Sequence, residues 1–220
     1  MAVRRTYDQN CPIAMGLDLL GERWTLLILR ELLGGARRYS DLRADLPGIA
    51  TNLLADRLRE LEETGLVERA ELPAPAARTV YRLSDRAWRE IPPILQAIAW
   101  FGLGQLPSPT DGDDVPPLTG FLAGILMAFD PGRVGSVDAT YQAVVDGRTF
   151  DFAVRDGHLA EARGHPDVRL VASAADLVAL RLATKPSARH RAATRLDLSG
   201  TGRAVARFCA TFALPAPTGH

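Results

Sequence analysis

The segment from Ile49 to Arg69, IATNLLADRLRELEETGLVER, restricts the fold of this chain more than any other stretch. Leu54, Leu58 and Leu61 fall at i, i+4 and i+7, which is one stripe of a 3.6-residue helix. Asn52, Asp56 and Arg59 then point to the opposite side. Gly65 ends the helix, where a left-handed cap favours glycine. Two strand-like runs follow, LVERAEL and TVYRLS, joined by the proline- and alanine-rich tip LPAPAAR. Upstream, SDLRADL predicts a shorter helix, separated from the long one by the turn Pro47-Gly48-Ile49.

Helix, tight turn, helix and hairpin is the order of a winged helix-turn-helix, whose second helix enters the DNA major groove. The order makes the chain a candidate gene regulator. The expected DNA contacts are Thr51, Asn52, Asp56, Arg57 and Arg59 in the recognition helix, Arg38 and Ser40 before it, and Arg78 at the wing. Asparagine can pair bidentately with adenine, and arginine with guanine or phosphate. Charge argues less for nucleic acid than the motif does. The chain has 26 basic and 26 acidic residues, and its first 105 residues carry 14 of each. A DNA-binding domain is often basic overall. Here folding must sort Arg37, Arg38, Arg57, Arg59 and Arg78 onto one face, away from Glu60, Glu62, Glu63 and Glu68.

The longer run from Cys11 to Arg69 resembles the HxlR family of bacterial regulators. The likeness rests on Cys11-Pro12, on WTLLILR from Trp24 to Arg30, on Leu46-Pro47-Gly48-Ile49 and on Arg57-Leu58-Arg59-Glu60-Leu61-Glu62. It covers roughly the first half of the chain. It implies a dimeric winged-helix repressor or activator that binds double-stranded, pseudo-palindromic DNA. Ala50 departs from the serine-like cap usual before the recognition helix, so the cap is expected to shift to Thr51. Proline at the first helical position places Cys11 at an N-cap, where backbone N–H groups favour a thiolate. Some regulators of this type sense oxidants through such a cysteine, which makes Cys11 a redox candidate. The plainer expectation, a buried and inert thiol, is preferred.

Length and composition suggest two domains: at 220 residues with 47% apolar composition the chain can fill two modest cores. The expected division is 1–104 for DNA binding and dimerisation, 105–117 as linker and 118–220 as a second domain. Leu17, Leu20, Trp24, Leu27, Ile28 and Leu32 predict a helical face closed by Gly34-Gly35, with Trp24 in the core. Ser84-Asp85 is a plausible cap, and Pro92-Pro93 should break or restart the next helix. ILQAIAWFGLGQL is apolar around most of its circumference and is read as a dimer helix carrying Ile98 and Trp100. Burial against the second domain is the alternative. Gln105 to Pro117 has no periodicity; Asp111, Asp113 and Asp114 lack the glycine and distal glutamate of an EF-hand loop. No apolar run approaches the ~20 residues that span a bilayer. No hydrophobic segment follows Arg4 and Arg5, so a secretory signal is not expected. Two cysteines in different domains, Cys11 and Cys209, fit a reducing, cytoplasmic setting.

The second half predicts α+β architecture. LTGFLAGILMAF reads as a helix broken at Asp130-Pro131-Gly132. Strands VDATYQAVV, RTFDFAV and HLAEARG follow, with hairpin turns at Asp146-Gly147 and Asp156-Gly157. Strand DVRLVAS, helix AADLVALRLA, basic loop TKPSARHRAA, strand TRLDLSG and helix GRAVARFCATFAL complete the chain. This tail is similar to the sterol carrier protein fold, which implies an apolar tunnel for a hydrophobic small molecule. Its candidate lining is Phe121, Ile125, Phe129, Phe150, Phe152, Leu177, Leu180, Phe208 and Phe212. His158, His165, His190 and His220 show no zinc-binding spacing, so no metal and no cofactor are expected. Leu198-Ser199-Gly200-Thr201-Gly202 lacks the third glycine of a dinucleotide turn, and no nucleophile elbow or P-loop occurs. The expected function is a ligand-responsive transcription factor and not an enzyme. The alternative is a small-molecule carrier that uses the winged helix only to dimerise.

Overall fold

A computed structural model describes residues 6–72, 78–103 and 115–215. The chain forms two compact units, residues 1–87 and 88–220. The wing tip at 73–77, most of the expected linker and its three aspartates lie outside the described residues.

The first unit contains α1 (Pro12–Leu20), α2 (Thr25–Leu33), α3 (Tyr39–Asp45), α4 (Thr51–Glu63), β1 (Val67–Leu72) and β2 (Arg78–Leu83). β1 and β2 pair antiparallel, and Arg37 adds a bridge to Tyr81 through two backbone hydrogen bonds of 2.8 and 2.7 Å. This is a winged helix-turn-helix. Its core is aliphatic: Ile28, Leu29, Leu32, Leu42, Leu46, Leu54, Leu58, Leu61, Val80 and Leu83 are all buried. The stripe read from α4 is therefore the stripe that packs. Gly65 ends α4 with φ +69°, and the Leu66 N–H reaches back to the Leu61 carbonyl at 3.0 Å.

Two expectations in this unit need correction. The cap of α4 does not shift: Ala50 is the N-cap without any side-chain bond, and Thr51 is already helical. The face expected from Leu17 to Leu32 is not one helix. The chain breaks between α1 and α2, and Trp24 takes φ +80°. Ile28 and Leu32 are buried, whereas Leu17 and Leu27 are exposed. A left-handed conformation costs a bulky residue about 1–2 kcal/mol. The half-buried indole offsets this by packing on the α3–α4 turn, where a Cβ at Gly48 would lie 3.8 Å from Trp24 Cη2.

Ser84 caps α5 (Asp85–Leu103): its hydroxyl accepts from the Ala87 N–H at 3.1 Å and donates to the Gly65 carbonyl at 2.8 Å. Pro92 and Pro93 do not interrupt α5, contrary to expectation. Each interior proline costs about 3 kcal/mol. Trp88, Ile91 and Leu95, at i, i+3 and i+7, are buried on one side. At about 1.5–3 kcal/mol per buried side chain they offset that cost. The division between units falls inside α5 and not at its end. Gln96 explains the difference, because its amide donates to the Leu126 and Phe129 carbonyls at 3.0 and 2.7 Å.

The second unit is α+β. A five-stranded sheet has the order β5-β4-β3-β6-β7, from β3 (Ala139–Val145), β4 (Arg148–Arg155), β5 (His158–Glu161), β6 (Val168–Ala172) and β7 (Asp197–Gly200). β3 and β6 run parallel and the other pairs antiparallel. Both Asp-Gly turns have positive φ at both residues, 45° and 81° in the first, 49° and 78° in the second. The helices are α6 (Pro117–Phe121), which continues as a π-helical turn over Leu122–Leu126, α7 (Pro131–Val134), α8 (Ala174–Leu182), α9 (Pro186–Ala193) and α10 (Gly202–Thr211). Gly120 and Gly124 let α6 and its π turn approach α8: a Cβ at either would come within 2.4 Å of Ala174 or 2.8 Å of Leu177. The segment expected to be a basic loop is α9. Pro186 starts it at the N1 position, and Ala192 alone of its residues is buried.

Candidate nucleic-acid interface and the C-terminal core

The recognition helix presents one exposed edge. Thr51, Asn52 and Arg59 are exposed and Asp56 half-exposed, on the side opposite the buried leucines. Arg59 donates to the Asp56 carboxylate at 3.0 Å, and its side chain remains 65% exposed. Such a surface pair contributes little to stability, so both groups can re-pair with a ligand. Arg38 and Ser40 are exposed at the start of α3, and Arg78 is exposed at the wing.

Arg57 departs from this set. Its guanidinium pairs with Glu60 and with Glu22 at 3.0 Å, and its side chain is only 15% exposed. It ties α4 to the connection between α1 and α2. The role assigned from helix position is therefore not the one its contacts describe.

Two contributions were missed in sequence. The Tyr39 hydroxyl donates to the Thr51 carbonyl at 2.6 Å, fixing the start of α3 to the start of α4. Arg43 is exposed on α3 and adds a cation to the Arg38–Ser40 side. Neither carries a motif signal: one depends on a contact across twelve residues, the other on which face of α3 is covered.

Cys11 is the N-cap of α1 with Pro12 at N1. It is half-exposed and not buried, so the preferred expectation of a packed thiol does not hold. The backbone N–H groups of Ala14 first, and Ile13 second, hold its pKa below the usual thiol value. Cys209 is buried, and burial pushes its thiol up.

The nine residues expected to line a tunnel are all buried. The aromatic ones meet each other. Phe121 stacks on Phe150 at 4.5 Å, Phe208 lies 4.9 Å from Phe212, and Phe212 contacts Phe152 at 5.7 Å and Phe129 at 6.0 Å. Tyr141, absent from the sequence expectation, sits among them at 4.9 Å from Phe208. Among the described residues its buried hydroxyl has no hydrogen-bond partner, and burial raises its pKa to about 12. These rings form a core joining the sheet to α6 and α10.

A groove of about 620 Å³ opens in this unit. Pro93, Gln96, Ala97 and Trp100 of α5 form one side, and Met127 to Pro131, Arg133, Arg181, Arg189 and Ala213 complete it. Phe129 is the one expected ligand residue that reaches it.

The HxlR-like helix-turn-helix family matches residues 19–108. An uncharacterized HTH-type transcriptional regulator of Synechocystis is 44% identical over 92 residues, 42% of this chain and 67% of that protein. The Bacillus subtilis regulator YvaP, also uncharacterized, is 38% identical over 93 residues, 42% of this chain and 85% of its own length. The chain belongs to the HxlR-like helix-turn-helix family. YodB, an HTH-type transcriptional regulator of Bacillus subtilis, is 36% identical over 77 residues, 34% of this chain and 69% of that protein. The protein is thus a DNA-binding transcriptional regulator of HxlR type. Among the described residues no helix is long and apolar enough to cross a membrane, and no cluster of three metal-ligating side chains occurs.

Proposed function

We propose that the exposed edge of α4 reads operator DNA, that two chains act together through α5, and that a small amphipathic molecule bound by the second unit changes DNA affinity. The observation that carries the reading is the division of α4. Leu54, Leu58 and Leu61 are buried while Thr51, Asn52 and Arg59 are exposed. A recognition helix needs one face fixed in a core and the other able to enter the major groove. Asn52 is the candidate for adenine, and Arg59 for guanine or phosphate. Arg38, Ser40, Arg43 and Arg78 are candidates for backbone contacts, which position without specifying sequence.

Support for a dimer comes from α5. Ile94, Ile98 and Phe101 share one face and are exposed, Phe101 at 82% and Ile98 at 46%. An apolar stripe of this kind calls for a partner. Two recognition helices related by a twofold axis require half-sites about 34 Å apart. Gel shift with the DNA upstream of the protein's own gene tests the DNA-binding role. Retardation that weakens steeply with salt is expected. Equal, salt-insensitive affinity for that DNA and for random duplex contradicts it.

A further inference from the structure

The arginines around the groove are engaged unequally. Arg181 on α8 is half-buried, and its guanidinium donates to the carbonyls of Ala123 and Gly124 in the π turn, both at 3.1 Å, and to those of Phe212 and Ala213 beyond α10. It thereby ties the π turn to the chain just beyond α10. Arg133 pairs with Asp130 at 3.1 Å. Arg189 on α9 donates through Nε to the Leu180 carbonyl at 3.1 Å. Among the described residues no carboxylate lies within ion-pair reach of its terminal nitrogens. From Leu177 to Leu196 the sequence has five basic residues and no acidic one. Burial, and then the nearby charge of Arg189, lower the Arg181 pKa to about 10. The two cations therefore repel each other in a partly desolvated place, and an anion between them would relieve that repulsion.

The part of the lining that α5 supplies is largely apolar. Pro93, Ala97 and Trp100 repeat at i, i+4 and i+7 on α5, and all three are exposed. This stripe is distinct from the Ile94–Ile98–Phe101 face. Met127, Ala128 and Phe129 also line the groove and are nearly covered. A volume of 620 Å³ falls in the range of small-molecule sites.

We propose that this groove binds an amphipathic monocarboxylate, with its carboxylate on Arg189 and its apolar body along Trp100, Pro93 and Phe129. The guanidinium fork matches a carboxylate bidentately. Arg181 spends its donors on four carbonyls and Arg133 pairs with Asp130, so Arg189 is the arginine of the groove whose terminal nitrogens can take a carboxylate, with the charge of Arg181 adding to the attraction. The inference deepens the reading of the second unit as an effector site and rests on it. It places that site not among the contacting aromatic rings but in a cleft that Phe129 also lines.

Titration of the full-length protein with decanoate, decanol and decyltrimethylammonium tests the proposal, read by calorimetry and by tryptophan fluorescence in the wild type and Trp100→Phe. Decanoate is expected to bind about tenfold or more tighter than decanol, the difference a charge-assisted hydrogen bond supplies. The ammonium compound should bind weakest. Arg189→Gln should bring decanoate to the level of decanol, and the fluorescence change should vanish in Trp100→Phe. Should Arg189→Gln fail to fold, the wild type suffices: added salt must weaken decanoate and leave decanol unchanged. Equal binding of all three chain types, or decanoate binding indifferent to Arg189 and to salt, overturns the site. Operator affinity measured in the same samples separates the two levels. Decanoate bound without change in DNA affinity keeps the groove and rejects the effector reading. Decanol altering DNA affinity independently of Arg189 does the reverse.

Discussion

Two arginines of the second unit differ from the paired arginines of the first in what they touch. In the first, arginines face carboxylates: Arg30 pairs with Glu31, Arg37 with Asp45, Arg57 with Glu22 and Glu60, Arg59 with Asp56 and Arg82 with Glu68. In the second, Arg133, Arg155 and Arg195 likewise pair with Asp130, Asp138 and Asp176, but Arg181 and Arg189 face backbone carbonyls. A carbonyl satisfies a donor without cancelling its charge. The first unit is neutral and leaves Arg59 on α4, with Arg38, Arg43 and Arg78 outside it, exposed, while the second retains positive potential beside an apolar cleft. A net charge of zero over the whole chain hides both facts. The lesson is that the partner of a cation matters more than the count of cations.

The cores differ too, one aliphatic and the other aromatic, and the largest effect tests that contrast. Phe212 touches Phe129, Tyr141, Phe152 and Phe208. Phe212→Ala should cost about 3–5 kcal/mol in urea denaturation of the second unit. A cost near zero would mean that these rings line a vacant tunnel, as first expected, and do not form a core.

Next in size is the α5 stripe. Ile98→Asp with Phe101→Asp should yield a monomer in sedimentation and weaken operator binding by roughly a hundredfold, since avidity from two linked sites is lost. An unchanged dimer would place the interface elsewhere.

A smaller effect distinguishes backbone contacts from base contacts. Arg78→Ala should weaken all DNA sequences alike and lower the salt slope by about one. A sequence-dependent loss would make Arg78 a base reader. The mildest probe leaves DNA aside. A small alkylating reagent at neutral pH should label Cys11 in the native protein and spare Cys209 until unfolding, checked by mass spectrometry. Equal labelling would mean that the helix N-terminus does not activate Cys11.

Much of the first unit was legible because its signals are local. The leucine spacing in α4, Gly65 and the Pro47-Gly48 turn each act within a few residues. What escaped was set by distant contacts. Arg57 looks like a DNA ligand on a helical wheel, but Glu22 is 35 positions away. The left-handed Trp24 is seen only once its ring is found over the Pro47-Gly48 turn, 24 positions along the chain. In the second unit the strands and Asp-Gly turns were readable from alternation, whereas α9 was not, since PSARHRAA has no apolar stripe. The groove was illegible for a plainer reason. Sequence names apolar residues but not which of them meet, and the phenylalanines expected to enclose a ligand enclose one another.

The edge of α4 is proposed to read base sequence. Its most direct test is the ratio of affinities for the upstream operator and for random duplex, in the wild type and in Asn52→Ala/Arg59→Ala. Circular dichroism should show both proteins equally folded. Loss of the two base contacts should lower the ratio by about 2–6 kcal/mol, at 1–3 kcal/mol per contact, while random-DNA affinity changes far less. A folded double variant that keeps the wild-type ratio contradicts the account.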